Sequence, residues 1–413
     1  MSDRVVVTGL GAISSLGHSA DTNWKSAVNG VSGVGPITLF DASDLLVQIA
    51  CEVKDFNADE YLDAKEARRR DRFEHFAAVA SNEAMGQSGL AITEENAARV
   101  GVIISSATGG INTFEDAIKT IQDRGARRLS PFIIPMFMAN GAAGMTSIDL
   151  GAKGPSFSVA SACASGADGI GHAWMLIRAG MLDAAITGAA EATICEMGVG
   201  AFDRLGALSR QNDDYSSTPA PFDKNRDGLV MGEGSGILVL ESLDHAKARG
   251  AEILAELVGY SATADAFHIT APAEGGQGGA AAMAQALDLA QMSYDSVDYI
   301  NAHGTGTELN DVAETEAIKS VFGDHAYDVA ISSTKSMTGH MMGATGALEA
   351  VFCVKAIQEN VVPPTIHYQT PDPECDLDYV PNEAREMKVD LTISNAFGFG
   401  GHNAVLALKS FSG

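Results

Sequence analysis

A cysteine, two histidines and a lysine stand where the local sequence favours chemistry over packing. Cys163 lies in GPSFSVASACASGADGIGHAWMLIRAG, where an alternating strand (Phe157, Val159) gives way to a helix with apolar positions 163, 167, 170, 174 and 177. At a helix start, unpaired N–H groups and the positive dipole end favour a thiolate. Ala162, Ala164, Ser165 and Gly166 leave space around the sulfur. A nucleophile on a sharp strand-to-helix turn suits acyl transfer. A free cysteine is as readily a small buried hydrophobe, the reading that Cys51, Cys195, Cys353 and Cys375 keep.

His303 follows a short apolar run and precedes a Gly/Thr loop (NAHGTGTELND); Lys335 and His340 follow another (SSTKSMTGHMMGATG). Ligands collect beyond the carboxyl ends of buried parallel strands, so both histidines are well placed. A helix start disfavours protonation of His340 and keeps it a neutral imidazole. The two histidines are too far apart in sequence for a helical metal motif. His172, His245 and His367 read as satisfied structural residues. A fourth loop, SNAFGFGGHN, surrounds Phe399 with glycines between two strands; such a turn can aim N–H groups at an oxyanion and can swing.

The elements that must position these groups are short apolar runs at 4–7, 100–104, 184–187, 237–240, 253–258, 297–300 and 329–332, read as buried strands. Helical stretches lie at 73–85, 167–179, 280–291 and 343–358. Alternation of the two predicts an α/β fold with a largely parallel sheet. A strand–helix–acidic loop–strand layout occurs twice, which predicts duplicated halves, 1–250 and 251–413. Five prolines between 363 and 381 make that segment an ordered connection or an edge.

The chain has 413 residues, 44 of them glycine, and 27 basic against 53 acidic residues give a net charge of −26. That balance argues against nucleic acid or an anionic membrane as a partner. No apolar run is long enough to span a bilayer, and the start lacks a signal-peptide layout. Five scattered cysteines without C-x-x-C exclude a disulfide framework and predict a reduced, cytoplasmic protein. Two motifs are set aside. GLGAIS at 9–14 lacks the third glycine and the downstream acid of a dinucleotide site and reads as a tight strand–helix turn. DKNRDG at 223–228 lacks the closing glutamate of a calcium loop and reads as a surface turn.

SACASG around Cys163, HGTGT from His303, KSMTGH from Lys335 and NAFGFGG at 395–401 stand in the order and spacing of β-ketoacyl-[acyl-carrier-protein] synthases. The resemblance spans essentially the whole chain and is strongest to the elongating type II branch of fatty-acid synthesis. It implies a thiolase-like fold, with a five-stranded mixed sheet in each half and five αβαβα layers, and a homodimer. It implies Cys163 as the residue that carries the acyl thioester. His303 and His340 would bind the malonyl thioester and stabilise the enolate left by decarboxylation. The N–H groups of Cys163 and Phe399 would hold the oxyanion, Lys335 would be the active-site lysine, and Glu314 the carboxylate that orients it. Thr305, Thr307 and Thr270 match residues meeting the phosphopantetheine arm, and Thr108 and Phe202 match substrate-contacting positions. Thr108 replaces a bulkier aliphatic residue, His402 a threonine, and Gly206 a basic residue. No resident cofactor or metal is implied, since phosphopantetheine arrives on the acyl carrier protein.

An acidic protein that binds an acidic carrier needs a local basic exception. KEARRRDR supplies Lys65, Arg68, Arg69, Arg70 and Arg72, and DRGARR supplies Arg124, Arg127 and Arg128. A solvated helix face paired with Glu66, Asp71 and Glu74 is the plainer reading. Three other functions compete with the elongating enzyme. A silent chain-length-setting partner is expected to lack Cys163, and a thiolase to have a cysteine in the loop that holds Phe399. A stand-alone polyketide ketosynthase shares HGTGT and remains open.

Overall fold

Runs of valine, isoleucine and alanine buried on both faces build the sheet, as expected for strands covered by helices on each side. The computed structural model describes residues 4–413. Ten strands form one mixed sheet, in the order Ala330–Ser332, Tyr299–Asn301, Leu391–Gly398, His402–Lys409, Ala255–Ala264, Val5–Ile13, Gly234–Ser242, Ala184–Glu191, Val100–Ser105 and Ser156–Phe157. Its two five-stranded parts meet where Val5, Val6 and Val7 pair antiparallel with Leu257, Glu256 and Ala255. Parallel pairing occurs at the outer strands of both parts.

Helices Arg72–Ser88 and Gly141–Leu150 cover one outer face; Gln277–Ala290 packs with Glu308–Phe322 over the other. Between the two parts lie Ser165–Arg178 and Thr345–Glu359, which touch strands of both. The arrangement has the five layers of a thiolase-like fold. Thr345–Glu359 is buried from Thr345 to Ile357, which is why its sequence is apolar nearly all round.

One motif differs from its sequence reading. GLGAIS is no turn: strand Val5–Ile13 runs through it, and Gly9 and Gly11 face helix Arg72–Ser88. A Cβ there would fall 2.1 and 1.9 Å from the carbonyl oxygens of Ala84 and Ala80, so the glycines permit close strand–helix packing. DKNRDG is a surface turn as expected, with Lys224, Asn225 and Asp227 exposed, but two of its side chains anchor it inward. Asp223 and Arg226 are buried. Asp223 accepts hydrogen bonds from the Asn225, Gln369 and Thr370 backbone, and Arg226 pairs with Asp372. The proline-rich segment is ordered, with Val361–Val362 paired to Arg385–Glu386. Among the described residues, no helix is long and apolar enough to cross a membrane, and no cluster of His, Cys, Asp and Glu could hold a metal ion.

Candidate active site

Cys163 sits in the single turn Ala162–Ala164 that leads into helix Ser165–Arg178. Ala162 has φ of 51°, a left-handed conformation unusual for a residue with a Cβ. The bend brings the thiol against the glycine loop, where a Cβ on Gly398 would lie 3.0 Å from the Cys163 nitrogen. The backbone N–H groups of Phe399 and of Cys163 itself favour the thiolate. Burial nevertheless outweighs them and pushes the thiol up to about 11. The helix start alone therefore does not yield the thiolate expected from sequence, and the resting group is a thiol.

The imidazoles of His303 and His340 stand edge to face with ring centroids 5.4 Å apart. The Met342 N–H donates to Nδ1 of His340 at 3.1 Å, which leaves the proton of the neutral ring on Nε2, a donor. Thr345 Oγ1 lies 2.9 Å from the same Nδ1. Burial, with help from Lys335, holds both histidines well below their ordinary range; His340 adds to the effect on His303. Both rings are neutral at physiological pH. His340 lies between helix Lys335–Thr338 and the turn Met342–Ala344, just ahead of the next long helix.

The lysine's partner differs from the expected one. Lys335 Nζ pairs with Glu349, not Glu314, at 2.6 Å. Glu314 instead accepts from the backbone N–H of His303 (2.8 Å) and Gly304 (2.7 Å) and from the Asn395 amide (3.0 Å). Its place in the second turn of helix Glu308–Phe322 points it back at the loop that carries His303, so it holds backbone rather than ammonium. Glu349 escaped the sequence reading because it lies in an apolar helix; an isolated acid in GALEAVFCVKAI was the available signal.

A cavity of about 490 Å³ is lined by Cys163, His303, His340 and Phe399 together with Phe202, Thr270, Thr305 and Thr307. The hydroxyls of Thr305 and Thr307 are 2.9 Å apart, and the Phe202 and Phe399 rings are stacked with centroids 6.3 Å apart. Thr108 is not among the lining residues. Its hydroxyl donates to Glu191 at 2.5 Å, a buried carboxylate that also accepts from the Ala107 and Gly343 N–H groups.

The basic segments divide. Lys65, Arg68, Arg124, Arg127 and Arg128 are exposed. Arg69 stacks 4.6 Å over the Phe132 ring and pairs with Glu66. Arg70 and Arg72 turn inward to Asp149 and Glu233. Asp71 and Glu74 are buried in the start of helix Arg72–Ser88, so they do not neutralise the exposed cations.

A family model described as the N-terminal domain of beta-ketoacyl synthases matches residues 2–246, and one for the C-terminal domain matches 254–369. The 3-oxoacyl-[acyl-carrier-protein] synthase 2 of Synechocystis sp. is 52% identical over 408 residues, 99% of this chain and 98% of that one. A solved beta-ketoacyl synthase from Burkholderia phymatum is similar with a TM-score of 0.92 at 35% identity. A type II polyketide ketosynthase, solved in complex with its acyl-carrier protein and bound to a hexaketide, gives 0.91 at 34%. Both structures cover 100% of each chain.

Proposed function

The chain belongs to the β-ketoacyl synthase family, and we propose that its elongating condensation runs through Cys163, His303, His340 and the two N–H groups at Cys163 and Phe399. It is an acyltransferase of fatty-acid synthesis that lengthens acyl groups delivered by an acyl carrier protein. The convergence of one thiol, two neutral imidazoles and two N–H groups that act on the thiol at a single cavity carries the reading of the residues.

In the first half-reaction the Cys163 sulfur attacks the acyl thioester, and the phosphopantetheine thiol leaves with the proton that Cys163 gives up. The N–H groups of Cys163 and Phe399 hold the oxyanion of the tetrahedral intermediate. In the second, a malonyl thioester places its carbonyl oxygen against the imidazoles, where the Nε2–H of His340 is already a donor. Carbon dioxide leaves, and the enolate is stabilised by those donors. The enolate carbon bonds to the acyl carbonyl and expels Cys163, which recovers a proton. Neutral rings suit this task, because they donate without first being protonated from water. No resident cofactor is assigned to this route.

The exposed cations Lys65, Arg68, Arg127 and Arg128, with Arg69 beside them, form the carrier's docking surface. A second copy of the chain covers the apolar surface of Phe114, Ile118, Ile121, Ile134 and Phe137, all exposed, in a homodimer. The edge strand Ser156–Phe157 fits the same role. Five unpaired, buried cysteines fit a reducing cytoplasmic setting.

Mass spectrometry after incubation with acyl carrier proteins of graded chain length tests the reading. The acyl mass is expected on the peptide that contains Cys163 and is lost in Cys163→Ala. A stable adduct on another residue, with Cys163 free, refutes it.

A further inference from the structure

The left-handed backbone at Ala162 is what bends the Cys163 turn, and such a conformation persists only where its surroundings hold it. Three hydrogen bonds stay within the turn: Ser161 N–H to Ser165 Oγ, Ser165 Oγ–H to the Ala162 carbonyl, and Ala164 N–H to the Ser161 carbonyl. One leaves it. The Ser161 hydroxyl donates to Oδ2 of Asp168, in the first turn of the helix that follows. The other oxygen, Oδ1, accepts from the Tyr260 hydroxyl at 2.7 Å.

Tyr260 belongs to strand Ala255–Ala264, in the part of the sheet that also carries the histidine loops. Its ring is fixed by packing, since a Cβ on Gly171 would lie 2.3 Å from it. All three side chains are buried, and hydroxyls occupy both carboxylate oxygens. Near its helix N-terminus the Asp168 charge is favourably placed. Burial and that charge push the Tyr260 phenol far above its ordinary range, so it remains a donor.

We infer that Asp168 and Tyr260 are a positioning pair that holds the Cys163 turn in its reactive bend and ties the nucleophile to the half of the fold that bears the histidines. The inference rests on Cys163 being the acyl acceptor. Neither side chain lines the cavity, so the pair acts through Ser161 and touches no substrate. Loss of the Tyr260 hydroxyl frees one carboxylate oxygen, Asp168 turns, and the Ser161 anchor loosens. Acyl transfer to Cys163 then slows, while malonyl decarboxylation at the imidazoles is left nearly intact.

The test compares Tyr260→Phe, which keeps the ring that packs on Gly171, with Asp168→Asn, which replaces one acceptor oxygen by a donor. Acyl transfer from an acyl carrier protein to Cys163 is timed by rapid quench and mass spectrometry. Carbon dioxide release from malonyl-carrier protein is measured without an acyl primer. In Tyr260→Phe, transfer is expected to slow about tenfold with KM for the carrier unchanged and decarboxylation altered less than twofold. Asp168→Asn is expected to lose at least as much, and the double variant no more than Asp168→Asn alone, since the two act as a unit. Equal losses in both half-reactions, or wild-type transfer in Tyr260→Phe, overturn the proposal. Peptide analysis of the wild-type acyl adduct separates this from its premise: an adduct elsewhere removes Cys163 and the proposal together, whereas an adduct on Cys163 with unslowed transfer removes the proposal alone.

Discussion

The ammonium of Lys335 lies 2.6 Å from the carboxylate of Glu349, and both side chains are at most 2% exposed. The lysine also reaches toward the Ala302 carbonyl at 3.5 Å, one residue before His303. Its charge depresses both imidazoles without contacting either. Burial, only partly opposed by Lys335, pushes the Glu349 carboxyl up to about 7. The pair fixes a positive charge behind the histidines while Glu349 compensates it.

Glu349→Gln leaves that ammonium buried and unpaired, an expected loss of about 3–5 kcal/mol of stability by denaturant titration. Lys335→Met/Glu349→Leu removes both charges and is expected to recover most of it, yet to remain impaired in condensation. A Glu349→Gln protein as stable as wild type contradicts the pairing.

The neutral histidines fix a pH dependence. Their folded values lie well below 6.5 because burial, and then Lys335, disfavours the protonated rings. The sign follows: the histidine contribution to stability is complete above the unfolded value of about 6.5 and is lost as pH falls through the lower folded values. Condensation is therefore expected to show no loss with a midpoint near 6.5, as a pH–rate profile of kcat/KM would reveal. His303→Ala or His340→Ala is expected to slow condensation by roughly a hundredfold, with self-acylation of Cys163 surviving better. Equal loss of both half-reactions in both variants refutes that division of labour.

The strands and the nucleophile turn were legible because short apolar runs and a lone cysteine amid small residues are local signals. The glycine hairpin around Phe399 was legible for the same reason. Family resemblance assigns Glu314 to Lys335 and misses Glu349, because the two carboxylates come near the lysine only on folding and the spacing does not say which one reaches it. Glu191 and Asp168 were likewise hidden, each being an acid within an otherwise apolar element. GLGAIS misled because Gly9 and Gly11 answer to the backbone of a helix more than sixty residues away, not to a local turn. Helix Ile111–Arg124 was missed although Ile111, Phe114, Ile118 and Ile121 recur at helical spacing; that stripe is largely exposed rather than packed, and only Thr113 and Ala117 of the helix are buried.

The exposed cations give a further expectation. In Lys65→Glu/Arg68→Glu/Arg127→Glu, KM for acyl carrier protein should rise strongly while activity on short acyl thioesters lacking the carrier changes little. Wild-type binding should weaken with salt, because exposed charges are screened over about 10 Å at 0.1 M. Arg70→Ala is a useful contrast. It removes a buried guanidinium paired with Asp149, so it should lower stability and leave KM for the carrier unaffected. An unchanged KM in the triple variant discards the surface.

Glu74 makes the protein sensitive to alkali at a place remote from the cavity. Oε2 closes the capping box by accepting the Asp71 N–H at 3.0 Å, while Oε1 is buried without a hydrogen-bond partner. Burial and the neighbouring Asp71 charge push the carboxyl up to about 8, although the Asp71 N–H opposes the shift. The folded chain thus binds a proton that the unfolded chain releases near 4.5. Stability from this group is complete below the unfolded value and drains away as pH rises through about 8. Glu74→Gln keeps an acceptor for the Asp71 N–H and removes the titration. At pH 5 the variant should nearly match wild type; by pH 8 it should be more stable by on the order of 3–4 kcal/mol. Denaturant midpoints of both proteins at the two pH values decide the matter, since a difference that stays constant with pH means that Glu74 is ionised throughout and its burial is tolerated in some other way.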